Sequence, residues 1–109
     1  MSENWKAIPG YEGLYEASTL GRIRTAEGKT TSSRRFFKRV WKQRILKGRG
    51  SNPRIGYRVS LWKDGKEKDW LVARLVAMTW IDGYCEGMTV NHKDRNRFNN
   101  NIDNLEWLS

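Results

Sequence analysis

An Asp-Gly pair at positions 64 and 65 separates two runs of alternating apolar and polar residues, 57–62 and 67–71. Asp-Gly favours the positive backbone dihedral angles of a two-residue hairpin turn, and a period of two is typical of a strand with one buried face. The pattern therefore predicts an antiparallel hairpin. Its inner face would carry the side chains of Tyr57, Val59 and Leu61, and its outer face those of Arg58, Ser60 and Trp62.

Short elements of both kinds are expected on either side of this hairpin. Two alternating segments, 14–18 and 22–25, flank a turn at 19–21 and predict a second pair of strands. Residues 72–80 place apolar side chains at helical spacing, and Asp82-Gly83 would end that helix. We therefore predict an α+β domain with an antiparallel, β-rich N-terminal half. The predicted core residues are Trp5, Ile8, Tyr11, Tyr15 and Ile23 near the N-terminus, and Val72, Leu75, Val76 and Thr79 on the helix.

Positive charge is concentrated in the middle of the chain. The formal net charge is +9, and ten basic residues but no acid occur from Arg34 to Arg58. A basic surface suits a polyanion, because neutralised phosphates release their condensed counterions. Nucleic acid is the favoured partner, with a merely soluble basic surface or an anionic lipid as alternatives. A hairpin with a basic outer face at 57–71 would also fit the major groove of DNA.

Residues 34–46 mix bases with apolar residues at a spacing that fits either a short amphipathic helix or an extended basic strand. The six tryptophans of the 109-residue chain favour a packed fold over a disordered basic tail. The residues expected to contact phosphate in and around this region are Arg22, Arg24, Arg34, Arg35, Lys38, Arg39, Lys42, Arg44, Lys47 and Arg58.

Composition disfavours several classes of protein. No apolar run approaches the ~18 residues that a membrane-spanning helix needs. The N-terminal residues lack the basic and apolar regions of a signal peptide. Cys85 is the single cysteine, so neither an internal disulfide nor a four-ligand zinc site with the single histidine is expected. We therefore predict a cytoplasmic protein that does not enter a membrane.

The single histidine, His92, lies in a C-terminal segment that is rich in asparagine. A short apolar run (Met88, Val90) precedes it, a polar loop follows, and Leu105 and Trp107 alternate at the end. This pattern predicts a strand, a loop and a return strand. Imidazole is the side chain best suited to accept a proton near neutral pH. From composition alone, an ordinary surface histidine is the alternative.

Two stretches resemble a known family. Residues 8–23, Ile-Pro-Gly-Tyr-Glu-Gly-Leu-Tyr-Glu-Ala-Ser-Thr-Leu-Gly-Arg-Ile, resemble the N-terminal DNA-binding module, of the NUMOD4 type, of phage HNH homing endonucleases. Residues 90–107, Val-Asn-His-Lys-Asp-Arg-Asn-Arg-Phe-Asn-Asn-Asn-Ile-Asp-Asn-Leu-Glu-Trp, resemble the HNH motif of the same family. Residues 74–77 match the family in the helix that precedes this motif. Thr19, Ala73 and Arg95 stand where the family usually has Asn, His and Gly.

The resemblance implies metal-dependent hydrolysis of phosphodiester bonds in double-stranded DNA by a ββα-metal finger. His92 would be the general base that activates water, and Asn91 would be a ligand to a divalent metal, Mg²⁺ or Mn²⁺. Asn104 would hold the loop and help to orient His92. Such ions prefer oxygen ligands, and an amide oxygen is a weaker ligand than the aspartate that relatives often carry. Arg95 would add a phosphate contact, and Asp94 would form a turn, with a role as an alternative carboxylate near the metal as the other possibility.

The other asparagines of the loop are expected only to satisfy backbone groups, and no catalytic role is assigned to them. They are Asn96, Asn99, Asn100 and Asn101. In the family, a helix after the second strand supplies a further metal ligand. This sequence reaches Ser109 directly after that strand, so the helix is expected to be absent. A truncated chain, a partner chain that completes the site, and weak or lost metal binding are the alternatives.

We divide the chain into a basic, β-rich DNA-binding region at 1–56 and a region of hairpin, helix and HNH motif at 57–109. The expected function is an HNH endonuclease that nicks or cleaves double-stranded DNA. We expect it to be phage-encoded and to act in the cytoplasm of a bacterial host, as a monomer or with a partner chain. A catalytically weak or inactive DNA-binding protein of the same fold, a regulator or an inhibitor, is the alternative. An RNA-binding module is a weaker one, because no specific motif supports it.

Overall fold

The computed structural model describes residues 3–26, 30–32, 38–40, 43–50, 52, 54 and 56–108, of which 30–32 and 38–40 are described by their backbone alone. Within these ranges the chain forms ten strands, one α-helix and one 3₁₀ turn. The strands are β1 (Trp5–Ala7), β2 (Tyr15–Ser18), β3 (Ile23–Thr25), β4 (Thr30–Ser32), β5 (Lys38–Val40), β6 (Ile45–Leu46), β7 (Arg58–Lys63), β8 (Lys66–Leu71), β9 (Thr89–His92) and β10 (Leu105–Leu108). The helix α1 spans Val72–Trp80, and the 3₁₀ turn spans Ile102–Asn104.

The N-terminal half is built around a four-stranded antiparallel sheet in the order β1-β2-β3-β6. Its register pairs Trp5 with Ser18 and Tyr15 with Thr25. The remaining strands pair as three antiparallel hairpins, β4 with β5, β7 with β8, and β9 with β10. The strands predicted at 14–18 and 22–25 are therefore confirmed as β2 and β3, and the fold is α+β as predicted.

The hairpin predicted on either side of Asp64 and Gly65 is present as β7 and β8. These two turn residues have φ of 52° and 74°. Two positive φ values in succession match the right-handed twist of the flanking strands, which is why Asp-Gly is favoured at this position. Local sequence therefore determined the turn and, through it, the register of the hairpin.

The two faces of the β7–β8 hairpin differ in burial, as the alternation predicted for Val59 and Leu61, which are buried, and for Trp62, which is half exposed. The prediction was wrong for Tyr57, which lies just before β7 and is 37% exposed. The outer face also carries Asp69, which lies opposite Ser60 and forms an ion pair with Arg49. The charge of this outer face is therefore mixed, because strand β8 contributes acids beside the bases of β7.

One buried apolar cluster joins the N-terminal sheet to the rest of the chain. Tyr15 and Ile23 of the sheet and Ile8, which follows β1, pack with Leu75 of helix α1 and with Leu105 of β10. The helix buries its predicted face, Val72, Leu75, Val76 and Thr79, together with Ala73 and Ala77. The helix ends at Trp80, shortly before the predicted Asp82-Gly83 stop. The regions 1–56 and 57–109 consequently share one core.

Trp5 differs from the other predicted core residues of the N-terminal block. It is half-buried on the edge strand β1 and lies outside the buried cluster. The guanidinium of Arg24 covers its ring at 4.1 Å from the centroid, a cation–π contact. Two other tryptophans tie the layers together through their ring nitrogens: Trp80 donates to the carbonyl of Ala17 at 3.0 Å, and Trp70 donates to the hydroxyl of Tyr11 at 3.0 Å.

The described parts of 34–46 are extended, since Lys38–Val40 and Ile45–Leu46 are strands. The strand alternative holds in these parts. Arg34, Arg35 and Lys42 lie outside the described residues, as do the side chains of Lys38 and Arg39. In the part of the chain that the structure describes, no helix is long and apolar enough to cross a membrane.

Candidate functional site

The final hairpin, β9 and β10, positions the two residues that the sequence singled out most strongly. Its register places His92 opposite Leu105 and Asn91 opposite Glu106. Successive residues of a strand point to opposite faces. His92 therefore faces the core side of the hairpin, where only 9% of its surface remains exposed, and Asn91 faces the other side.

The loop between these strands is held by hydrogen bonds that converge on Asp94. The amide of Asn104 donates to Asp94 Oδ1 at 2.9 Å, and the amide of Asn99 donates to Asp94 Oδ2 at 2.9 Å. Asp94 N in turn donates to Asn104 Oδ1 at 3.0 Å. The hydrogen bond from Asn99 lowers the pKa of Asp94, with further lowering from the backbone of Asn96 and from Asn104. Asn104 thus holds the loop through Asp94 and through the carbonyl of Asn99, to which its amide donates at 2.9 Å, and no hydrogen bond joins its side chain to His92 within the described residues.

Asn100 is the residue that contacts the imidazole. Its Oδ1 lies 2.9 Å from His92 Nε2, and its side chain is almost fully buried, with 4% exposed. An amide oxygen only accepts hydrogen bonds, so this contact favours the tautomer of the neutral imidazole that carries its proton on Nε2. The sequence assigned Asn100 a backbone role only. It is one of three consecutive asparagines, and nothing in the local pattern distinguishes it from Asn99 or Asn101.

A cleft of about 320 Å³ opens beside His92. Four arginines from different parts of the chain line it, namely Arg54, Arg58, Arg74 and Arg97. Within the described residues, none of these four guanidinium groups forms an ion pair, since the ion pairs found there involve Arg22, Arg24 and Arg49. Ala73, where the family usually has His, also lines this cleft. The cleft therefore brings four arginines that form no ion pair within the described residues next to the imidazole.

Arg74 is held in place by aromatic rings. Its guanidinium lies 5.4 Å from the ring centroid of Tyr84 and 5.9 Å from that of Trp107, and it donates to the Tyr84 hydroxyl at 3.1 Å. Trp107 is itself fixed by a hydrogen bond from Nε1 to the carbonyl of Ile81 at 2.9 Å. A guanidinium that is already oriented loses less side-chain entropy when it binds an anion.

The predicted phosphate contacts divide into groups in the structure. Arg22 is paired with Glu3, with 2.7 Å between Arg22 Nε and Glu3 Oε2, and the pKa of Glu3 is lowered by this hydrogen bond. Arg24 is paired with Glu16 at 2.7 Å. Among the others whose side chains are described, Arg58 lines the cleft. Arg44, Lys47 and Arg95 are exposed and do not line it. Arg54, Arg74 and Arg97 were missed as site residues, because their proximity to His92 depends on the tertiary fold.

The candidate metal ligand Asn91 is half-buried and donates from Nδ2 to Glu106 Oε1 at 2.8 Å. It does not line the arginine cleft. No group of three or more His, Cys, Asp or Glu residues suited to a metal occurs among the described residues. Glu106 was not anticipated from the sequence, although its position opposite Asn91 follows from the hairpin register.

Comparison with known proteins covers nearly the whole chain. Residues 3–62 match the NUMOD4 motif, and residues 75–109 match the HNH endonuclease family. The DNA endonuclease I-HmuI of Bacillus phage SP01 is 40% identical over 107 residues, which are 96% of this chain and 52% of I-HmuI. An uncharacterized HNH endonuclease of Acanthamoeba polyphaga mimivirus is 35% identical over 109 residues, which are all of this chain and 28% of that protein. The chain thus spans 52% of the length of I-HmuI and 28% of the length of the mimivirus protein.

A solved structure of the HNH homing endonuclease I-HmuI, concerned with its DNA binding and cleavage, has a similar fold. The TM-score is 0.76 at 35% sequence identity, and the similarity covers 97% of this chain and 52% of that one. The resemblance of residues 8–23 and 90–107 to phage HNH homing endonucleases is therefore confirmed.

Proposed function

Since the chain belongs to the phage-type HNH homing endonuclease family, with a NUMOD4 motif at 3–62 and an HNH segment at 75–109, we propose that it hydrolyses phosphodiester bonds of double-stranded DNA. The observation that carries this proposal is the position of His92 in the wall of a cleft lined by four arginines. A general base and a group of anion-binding side chains both contribute to the hydrolysis of a phosphodiester.

The arginine cleft suits a phosphodiester backbone. Each phosphate carries one negative charge, and the planar guanidinium can donate two parallel hydrogen bonds to phosphate oxygens. Arg54, Arg58, Arg74 and Arg97 line the cleft and form no ion pair within the described residues, and Arg58 also interacts electrostatically with Asp69. Their charge is therefore available to attract the DNA and to stabilise the charge that develops on phosphorus oxygens during the reaction.

His92 is suited to act as general base through Nδ1. When Nε2 donates its proton to Asn100 Oδ1, 2.9 Å away, the lone pair of Nδ1 is left to accept a proton from water. The water oxygen then bonds to phosphorus, the bond from phosphorus to the leaving oxygen breaks, and that oxygen takes a proton from solvent. The protonated imidazole releases its proton afterwards, and the site returns to its starting state.

A divalent metal ion fits the oxygen donors on the other face of the hairpin. Asn91 and Glu106 present an amide and a carboxylate across one cross-strand pair. Mg²⁺ is commonly held by one or two such side chains together with waters and substrate phosphates. Bound there, such an ion would supply Lewis-acid stabilisation of charge on a phosphate oxygen that reaches this face of the hairpin. Asn91 and Glu106 are the residues we assign to hold it.

The second candidate is a DNA-binding protein of the same fold with little or no catalysis. It is favoured by the amide of Asn91, where relatives often carry a carboxylate, and by the lack of a three-residue acidic or imidazole cluster within the described part of the chain. The arginine cleft serves either function. The two candidates therefore differ only in what happens to the bound phosphodiester.

Nicking of supercoiled plasmid tests the proposal directly. With Mg²⁺ or Mn²⁺ the protein should nick the plasmid, and EDTA should stop the reaction. His92→Ala should reduce the rate by about 10²-fold to 10⁴-fold, the typical contribution of a general base, while DNA affinity measured by fluorescence anisotropy stays the same. Glu67→Gln, at the exposed tip of the β7–β8 hairpin, is the control and should nick at the original rate. DNA binding without metal-dependent nicking would establish the second candidate instead.

A further inference from the structure

The turn between β2 and β3 packs directly against the loop that carries Asn100. Ile102 N donates to the carbonyl of Thr19 at 3.0 Å. Gly21, with φ of +89°, approaches so closely that a Cβ atom built on it would lie 2.5 Å from the carbonyl oxygen of Asn100 and 2.6 Å from the Cβ of Asn100. Only glycine fits this approach, because Cβ atoms do not come this near to other heavy atoms.

The turn is itself held by several hydrogen bonds. Thr19 N donates to the carbonyl of Asn4 at 2.9 Å, and Asn4 N donates to Thr19 Oγ1 at 3.1 Å. The buried Ser18 accepts through Oγ from Leu20 N at 3.2 Å and from Arg22 N at 3.0 Å. The surface that meets Asn100 is therefore a fixed one.

The same loop meets a second glycine on its other side. Gly56, with φ of +84°, lies so close to Arg97 that an added Cβ would be 2.5 Å from the carbonyl oxygen of Arg97. Tyr57 follows directly and packs its ring 4.8 Å from that of Phe98. The loop segment 97–102 is consequently held between two backbone contacts from the N-terminal two-thirds of the chain.

We propose that the turn at 19–21 is a positioning element for His92 and that it acts through Asn100. The inference rests on the proposed function for its catalytic consequence. Gly21 and Thr19 fix the backbone of the loop, this fixes Asn100 Oδ1 at 2.9 Å from His92 Nε2, and that hydrogen bond sets which ring nitrogen is basic. The N-terminal module then contributes to proton transfer, in addition to the DNA contacts that the family resemblance implies for it.

The experiment compares Gly21→Ala with Gly13→Ala in the full chain. Gly13 also has a positive φ, +78°, but an added Cβ there meets nothing within 4 Å. Both variants carry the same kind of backbone strain, and only Gly21→Ala pushes on Asn100. Gly21→Ala should slow nicking by about 10²-fold, as expected when a catalytic group is displaced by about 1 Å, with DNA affinity within about twofold of the original. Gly13→Ala should change neither quantity.

Nitrogen-15 NMR of the imidazole gives a readout independent of activity. His92 is the single histidine of the chain, so its ring signals need no assignment. The original protein should show the form protonated at Nε2, and Gly21→Ala should show a mixture of the two neutral tautomers. Asn100→Ala should give the same mixture of tautomers, and it adds no steric clash. It therefore tests the inference even if Gly21→Ala does not fold. The double variant should be no slower than the slower single one, because both changes break the same chain of contacts.

The inference is overturned if Asn100→Ala keeps both the tautomer and the nicking rate, or if a folded Gly21→Ala protein matches Gly13→Ala in both. If the original protein does not nick DNA, the proposed function fails, and the NMR comparison still decides whether the turn positions His92.

Discussion

The side-chain amide of Asn91 donates to the carboxylate of Glu106 at 2.8 Å, directly across the final hairpin. A carboxylate therefore stands beside the position at which relatives often carry an aspartate. If the two side chains hold a divalent ion, Glu106→Gln should weaken Mn²⁺ binding by about tenfold or more, as the loss of a ligand or its partner commonly does. Asn91→Asp should strengthen it, since a carboxylate is the better ligand for a hard cation. Titration of Mn²⁺ followed by electron paramagnetic resonance measures both.

Glu86→Gln, at an exposed acid on the segment before β9, is the matched control for the loss of one charge. Equal Mn²⁺ affinity in Glu106→Gln and Glu86→Gln would remove Glu106 from the metal site.

The arginines should differ in their contribution to the salt dependence of DNA binding. Arg54→Gln and Arg97→Gln should each reduce the slope of log K against log[salt] by about 1, the loss of one phosphate contact. Arg22→Gln and Arg24→Gln should change it less, because these side chains are already paired with Glu3 and Glu16. Fluorescence anisotropy titrations of DNA at salt concentrations from about 50 to about 200 mM provide the test. A larger change in the Arg22 and Arg24 variants would place the DNA on the sheet and not over the cleft.

Arg95→Gly should stabilise the loop. Arg95 has φ of +65°, and this left-handed conformation costs a residue with a Cβ atom about 1–2 kcal/mol. Replacement by glycine removes this cost, but glycine loses more backbone entropy on folding, which offsets part of the gain. We expect the free energy of unfolding to rise by up to about 1 kcal/mol in urea titrations. Arg97→Gly, whose φ is not positive, should be destabilising by about 0.5–1 kcal/mol. Destabilisation by Arg95→Gly would mean that the arginine side chain contributes more than its backbone strain costs.

Acid should loosen the loop through Asp94. Hydrogen bonds from Asn99, the backbone of Asn96, and Asn104 lower the pKa of Asp94 below its ordinary value, which is about 3.9. A carboxyl with a lower pKa in the folded state stabilises the fold fully above its unfolded pKa and loses that contribution as the pH falls through its folded pKa. The difference in urea midpoint between the original protein and Asp94→Ala should therefore be constant from neutral pH down to about 5 and shrink below about 4.

For this acid series, Glu86→Gln again serves as control, because no hydrogen bond to the Glu86 carboxylate is found within the described residues. A midpoint difference for Asp94→Ala that persists at low pH would show that the side chain acts through packing and not through its charge.

Sequence predicted the elements that depend on neighbours along the chain. The β7–β8 hairpin follows from Asp64-Gly65 and the helix from the spacing of Val72, Leu75 and Val76, since period and turn chemistry are local properties. His92 was found as the single histidine, predicted at the end of a strand before a polar loop, and it is the last residue of β9. What the sequence did not predict are contacts between distant segments, because no local pattern encodes them: Asn100 against the imidazole, and the convergence of arginines from a loop, a strand, a helix and the final hairpin. Glu3, which pairs with Arg22, was missed for the same reason, whereas Glu16 lies directly opposite Arg24 in the predicted β2–β3 pairing and could have been found from its register.

The buried cluster that unites Ile8, Tyr15 and Ile23 with Leu75 and Leu105 limits how such a protein can be rearranged by recombination. An N-terminal module that brought its own closed core could be exchanged between relatives as an independent cassette. Here the module completes its interior with the helix and hairpin that follow it. A graft that replaced only residues 3–62 would leave mismatched apolar faces on both sides of the joint. Successful exchange requires the partner faces of α1 and β10 to be transferred with it, so the two motifs are expected to be inherited as a single unit.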